Sequence, residues 1–285
     1  MKTYLDCIPC FCRQTLEAVR FVTDDVAVQE RALRAVLAAA SKMDLRTSPA
    51  EMGQYIHHLI RDLTGCADPY REVKERFNQA ALALYPELEK KVLASDDPLE
   101  TAVRLAIAGN IIDFGVRADL RESQVEQKME SALRAPLFGG GMPEFRKAVW
   151  DAEQILYLGD NAGEIVFDRL LLGQLPRERT TYVVKARPII NDATMEDARL
   201  TGVTQMVEVI DNGSDVPGTI LSRCSEEFRQ RFHESDLVIA KGQGNYETLS
   251  EAPGKIFFLL MAKCPVIAGD IGCKTGDLVV LERQR

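Results

Sequence analysis

The chain has 285 residues, 46% hydrophobic and 27% charged, the proportions of an ordinary globular protein. A net charge of −8 argues against a general nucleic-acid or membrane binder, since both surfaces are anionic, but leaves room for a small basic pocket. No run approaches the ~18 apolar residues of a membrane span, and the start MKTYLDCIPC lacks the apolar core of a signal peptide. A cytoplasmic location is therefore expected.

In chain order, the first segment to consider is Cys7 to Cys12. Cys7 and Cys10 form a lone CxxC, with Cys12 close by. A tetrahedral zinc site would need two further ligands, for which Cys66, His57 or His58 are available, but no spacing requires them. Seven cysteines spread along the chain are an odd count and not a disulfide framework, so thiols are expected.

Residues 1–150 read as helices. The run from Asp25 to Met43 is alanine-rich and periodic, with Asp24 or Asp25 as cap. Ser48, Pro49 and Glu51 supply an N-cap, a first-turn proline and a capping-box acid for a helix through about Leu63. Further helical runs cover about 69–94 and 98–113, the latter opened by Asp97 and Pro98. No alternating strand is evident before residue 150. Gly109 and Asn110 cost helix stability, so they either end a helix or turn Asn110 toward a site; Asp113 follows close by. The glycines 139–141 and Pro143 mark a joint. The expected division is a helical domain over 1–140 and an α/β domain over 141–285.

After that joint, apolar runs recur at about 155–158, 181–185, 206–210, 237–240, 256–260 and 278–281. Alternation with helical segments predicts a mostly parallel sheet covered on both faces. Three of the strands end in polar clusters. One delivers Asp160 and Asn161 in GDNAGE, one Lys185, Asn191 and Asp192 in KARPIIND, and one Lys241, Gln243 and Asn245 in KGQGNYE. Open α/β sheets bind ligands at such tips. Asp160, Asn161 and Asp192 are the oxygen donors that Mg²⁺ or Mn²⁺ prefers, although Asp160 and Asn161 would also serve as helix caps. Lys185 and Lys241 could point an ammonium at an anion, and Gly242, Gln243 and Gly244 let backbone amides approach a phosphate. Neither glycine cluster is the GxGxxG dinucleotide fingerprint.

Taken together, GDNAGE, KARPIIND and KGQGNYE resemble the damage-control phosphatase family, domain of unknown function 89. The N-terminal DCIPC resembles its stand-alone, CxxC-bearing prokaryotic subfamily. The resemblance covers nearly the whole chain. It implies a three-layer α/β/α domain with an all-helical N-terminal domain, and a metal-dependent phosphatase of small phosphorylated metabolites such as sugar phosphates. It further implies that Asp160, Asn161 and Asp192 hold the metal, that Glu164 is the acidic residue after the Asp-Asn pair, and that Lys241 to Asn245 form the substrate-phosphate loop. A downstream family lysine falls on Lys263, but the run Leu260, Met261, Ala262, Lys263 departs from the Arg-Thr-x-Lys signature of the eukaryotic subfamily.

The expected mechanism is phosphomonoester hydrolysis with one divalent ion (Mg, Mn, Co or Ni). Asp160 also counts among the catalytic residues as a ligand of that ion. Glu164 orients the attacking water or accepts its proton, and Asp168, one helical turn on, is a weaker candidate. Lys185, Lys241, Gly242, Gln243, Gly244, Asn245, Lys263 and Asn110 are expected around the phosphate. The expected partner is a small phosphorylated metabolite, with no nucleic acid and no membrane, and the oligomeric state is open. Two rival readings are a non-catalytic binder of phosphometabolites and a methyltransferase using S-adenosylmethionine.

Overall fold

A computed structural model describes residues 1–110 and 122–284. The helical half contains α1 Cys7–Arg20, α2 Val26–Ala40, α3 Pro49–Thr64, α4 Arg71–Leu93, α5 Pro98–Gly109 and α6 Glu122–Arg134. There follow β1 Leu137–Phe138, α7 Met142–Asp151, β2 Ile155–Leu158, α8 Glu164–Leu172, β3 Thr180–Val184 and α9 Met195–Leu200. The remainder is β4 Glu208–Asp211, α10 Glu226–Glu234, β5 Leu237–Lys241, α11 Gly242–Leu249, β6 Lys255–Met261, α12 Pro265–Ile271 and β7 Leu278–Gln284. Asp113 lies outside the described residues.

Local chemistry accounts for the helix starts. The Asp25 carboxylate accepts the Ala27 N–H at 2.8 Å and opens α2. Asp97 does the same for Glu100 at 3.0 Å, with Pro98 in the first turn of α5. At α3 the Ser48 hydroxyl takes the Ala50 N–H, and Gly65 in the left-handed region ends the helix.

The seven strands lie in the order β1-β7-β6-β5-β2-β3-β4. All neighbours are parallel except β6 and β7. The sequence pattern showed no strand before residue 150; the structure adds β1 there, parallel to β7 at the sheet edge. Two residues are too few to display alternation.

Side chains of each central strand alternate between two cores. Ile155 and Tyr157 of β2 join one cluster with α4, α5, α7 and α8, while Leu156 and Leu158 join another with α10, α11 and α12. This is the three-layer arrangement expected of a parallel sheet buried on both faces. A third cluster ties α1, α2 and α3 together and includes Ile190 at its margin. The first cluster runs from Ala81 in α4 to Leu278 in β7, so the helical half shares its core with the sheet.

The chain leaves β2 for β3 and β4 on one side, then returns to place β5 on the other. That reversal makes β2 and β5 the topological switch point, where a crevice opens at the strand tips. Among the described residues no helix is long and apolar enough to cross a membrane.

Phe257 is fully buried in β6, with its ring edge-on to Phe145 of α7 at 5.3 Å. Phe257→Ala should cost about 3–5 kcal/mol in urea unfolding, through lost transfer energy and the cavity left behind; a loss below about 1 kcal/mol would mean that this layer repacks freely.

Candidate active site

The crevice is built from loops that follow β2, β3 and β5. Asp160 and Asn161 follow β2 directly, and the next loop returns alongside them. The Ala193 N–H donates to the Asp160 carbonyl and the Ala162 N–H to the Asn191 carbonyl, each at 2.8 Å. Asn161 and Asp192 thereby form an isolated antiparallel bridge. Two segments some thirty residues apart in sequence thus place Asp160, Asn161 and Asp192 in one cluster.

That cluster is electrostatically costly. Burial, then the neighbouring Asp192 charge, push the Asp160 carboxyl up to about 6, against the pull of Lys263 and Lys241. Burial also lifts Asp192 to about 6, opposed by Lys185 and Lys74. Asp192 Oδ2 is buried and has no hydrogen-bond partner. Its nearest cation, Lys185 Nζ, is 3.7 Å away, an ion-pair distance too long for a hydrogen bond. Lys185 instead donates to the Gly218 carbonyl.

A second group lies one layer deeper. Lys241 Nζ, fully buried, donates to Glu164 Oε1 at 2.5 Å, Asp168 Oδ1 at 2.6 Å and the Ala106 carbonyl at 2.9 Å. The Tyr157 and Tyr182 hydroxyls donate to Asp168 at 2.8 and 2.7 Å. Burial alone would lower the lysine, but Asp168 and Glu164 outweigh it and hold the ammonium above its ordinary value. Burial raises Glu164 to about 8 despite Lys241. Glu164 Oε2 faces the Asn161 amide at 3.3 Å, which links the two layers.

Part of the expected phosphate-binding set is engaged inside the protein. All three donors of Lys241 are occupied by protein acceptors, so the ammonium braces Glu164 and Asp168 and does not face the crevice. Asn245 donates to the Lys241 and Gly159 carbonyls at 2.8 and 3.3 Å and accepts from Thr219, so it too is internal. Asn110 donates to Asp160 Oδ2 at 2.7 Å and so serves the carboxylate. Its odd neighbour is also explained: a Cβ on Gly109 would meet Phe167 at 2.7 Å, so glycine lets α5 close on α8.

Gly242 begins α11 against Asp160, where a Cβ would fall 1.8 Å from Asp160 Oδ2. No side chain caps this helix, so its first amides are not satisfied by a capping side chain. Gln243 accepts the Lys263 N–H at 2.5 Å, which docks the exposed Lys263 beside the same helix start. Gly244 packs backbone to backbone on Gly218.

The loop between Lys185 and Asp192 stores strain. Ile190 has φ 46°, a left-handed conformation that a β-branched side chain rarely adopts. Its side chain packs against the α1–α3 cluster, which holds the loop in place. Sequence reasoning missed Asn78, Tyr157 and Tyr182. The two tyrosines sit on apolar strands whose pattern reads as plain core, whereas Asn78 stands in a charged helical run that reads as solvent-facing.

Among the described residues no group of three or more His, Cys, Asp or Glu side chains is arranged to hold a metal ion. The Asp160, Asn161 and Asp192 set contains only two such residues, its third donor being an amide. Hard divalent ions accept that mixture, and the unpartnered Asp192 oxygen is the kind of atom that a cation would satisfy. Cys7 and Cys10 are free thiols at the start of α1, half-buried and exposed respectively. Burial raises the Cys7 thiol.

A doubly wound sheet with an acidic, amide-rich crevice at its switch point defines the class. A model of the damage-control phosphatase ARMT1-like domain matches residues 3–279, and the chain belongs to that family. A damage-control phosphatase of Archaeoglobus fulgidus is 37% identical over 286 residues, covering 98% of each chain. One of Pyrococcus horikoshii is 35% identical over 291 residues, covering 100% of this chain and 99% of its own. The crystal structure of a domain-of-unknown-function-89 protein from Pyrococcus horikoshii aligns with a TM-score of 0.91 at 34% identity, over 100% of both chains.

The raised carboxyls carry a signed prediction. In the unfolded chain Asp192 titrates near its ordinary 3.8, whereas folded it titrates near 6. The folded form retains a proton that the unfolded form has lost across that window, so metal-free stability falls as pH rises from about 4 to about 6. In chelator at pH 7, Asp192→Asn should exceed the wild type in urea unfolding by on the order of 1–3 kcal/mol, and the gain should vanish near pH 4. A less stable variant at pH 7 would show that Lys185 outweighs the burial cost.

Proposed function

We propose that this protein is a divalent-metal-dependent phosphatase that hydrolyses phosphomonoesters of small metabolites, among them sugar phosphates and damaged phosphometabolites. The observation that carries this reading is the pair of half-buried Asp160 and buried Asp192 on bridged loops, with one Asp192 carboxylate oxygen unpartnered. Family membership supports the phosphatase chemistry, since the relatives above bear that name.

In this reading Asp160, Asp192 and the amide oxygen of Asn161 hold one Mg²⁺, Mn²⁺, Co²⁺ or Ni²⁺. When bound, such an ion polarises the phosphoryl group and acidifies water. The rest follows from the chain's own residues. Asn110 and the start of α11 fix Asp160 in place. The uncapped amides of α11 and the exposed Lys263 ammonium neutralise phosphate oxygens as charge shifts toward the leaving group. Lys185 sets the charge beside Asp192. Glu164 orients the attacking water, held in place by Lys241, which Asp168 and the two tyrosine hydroxyls anchor. Lys241 and Asn245 act here as scaffold and not as phosphate ligands.

The test is a phosphate-release screen over sugar phosphates and other phosphomonoesters with the four metals varied. Turnover should depend on added metal. Asp160→Ala and Asp192→Ala should each lower it by on the order of a thousandfold, because several kcal/mol of transition-state stabilisation is lost, with the circular dichroism spectrum unchanged. Normal turnover by either variant would remove the metal assignment. Uniform silence together with thermal stabilisation by sugar phosphates would make the protein a binder instead.

A further inference from the structure

We propose that Asn78 is a positioning residue that cross-links the two ligand-bearing loops and sets the distance between Asp160 and Asp192. The proposal rests on the metal-dependent reading above.

Asn78 lies on α4, in the helical half, and is fully buried. Its oxygen accepts the Gly163 N–H at 2.7 Å. Gly163 stands two residues after Asn161 and is the N-cap of α8, so Asn78 caps that helix from outside it. The Asn78 amide group donates to Asp197 Oδ1 at 2.8 Å. The other Asp197 oxygen accepts from both the backbone and the hydroxyl of Thr194, each at 2.8 Å, and closes the capping box of α9. Thr194 stands two residues after Asp192. One side chain therefore joins the end of the first loop to the end of the second.

The orientation of the amide is fixed chemically. A backbone N–H can only donate and a carboxylate can only accept, so the oxygen must face Gly163 and the nitrogen Asp197. Lys74, one turn earlier on α4, lies 3.7 Å from Asp197 and 3.0 Å from Asp68, which anchors the far end of the link. The link has a physical task. Asp160 and Asp192 repel one another in a buried setting, and a cross-link between their loops resists their separation. Supporting residues of this kind govern metal affinity nearly as strongly as the ligands do.

The experiment uses the full chain. Mn²⁺ binding is measured by calorimetry, and kcat and KM are measured with p-nitrophenyl phosphate. Asn78→Ala should weaken Mn²⁺ binding and lower kcat by about 10- to 100-fold with little change in KM. Asn78→Ser, which can keep one of the two bonds, should lie between and serves if the alanine variant does not fold. Asn78→Asp sets two carboxylates face to face and should also weaken Mn²⁺ binding. Adding Asp197→Asn to it restores a donor facing an acceptor and should recover part of that loss. Gln79→Ala, exposed on the same helix, should bind Mn²⁺ as the wild type does. Folded Asn78 variants with wild-type Mn²⁺ affinity and kcat would overturn the cross-link alone. Absence of Mn²⁺ binding by the wild type would overturn the metal reading and this proposal with it.

Discussion

Four carboxylates, those of Asp160, Glu164, Asp168 and Asp192, meet two buried ammonium groups, Lys185 and Lys241, at the C-terminal edge of one sheet. Buried charge is tolerated only where it is paired and hydrogen-bonded. The deeper half of the cluster meets that condition: Lys241 lies between Glu164 and Asp168, and two tyrosine hydroxyls occupy the remaining Asp168 acceptors. The outer half does not. Asp192 Oδ2 has no hydrogen-bond partner, and burial lifts both outer carboxyls, Asp160 and Asp192, as it lifts Glu164 below them.

The helical half is part of this arrangement. Asn110 at the end of α5 donates to Asp160, Asn78 of α4 joins the two loops, and the α1–α3 cluster seats the strained Ile190. Each contact falls on a different point of the crevice wall. The carbonyl of Ala106, also on α5, is the third acceptor for Lys241. Removing the helices would therefore unseat the carboxylates as well as expose apolar surface, and the continuous core from Ala81 to Leu278 points the same way.

Much of this was legible in the residues. The strands were visible because parallel strands buried on both faces read as short apolar runs, and the polar clusters at their tips stood out against them. The three-layer fold followed from that alternation. What sequence could not supply was the direction of each side chain. Lys241 follows an apolar strand just as a phosphate-binding lysine would, yet it turns inward because Glu164 and Asp168, one helical turn apart on α8, present two acceptors to it. Asn245 turns inward likewise. Asn78 was invisible for the opposite reason: a polar residue in a charged helical run reads as solvent-facing, and only the packing of α4 on α8 buries it.

The distribution of hydrogen bonds separates framework from recognition. A polar side chain whose donors and acceptors are all taken inside the protein cannot bind a ligand without breaking a buried bond, which costs more than the new contact returns. Lys241 and Asn245 fall in that group, and Asn110 is engaged with Asp160. Among the described residues of the crevice, the second oxygen of Asp192 has no hydrogen-bond partner, no side chain caps the start of α11 beside Gly242, and Gln243 docks the backbone of Lys263 at that helix start. The first of these suits a cation and the helix start an anion, and both border Asp160 or its partner loop. A ligand set that pairs a cation with an anion would meet both demands at once, whereas either alone would meet only one.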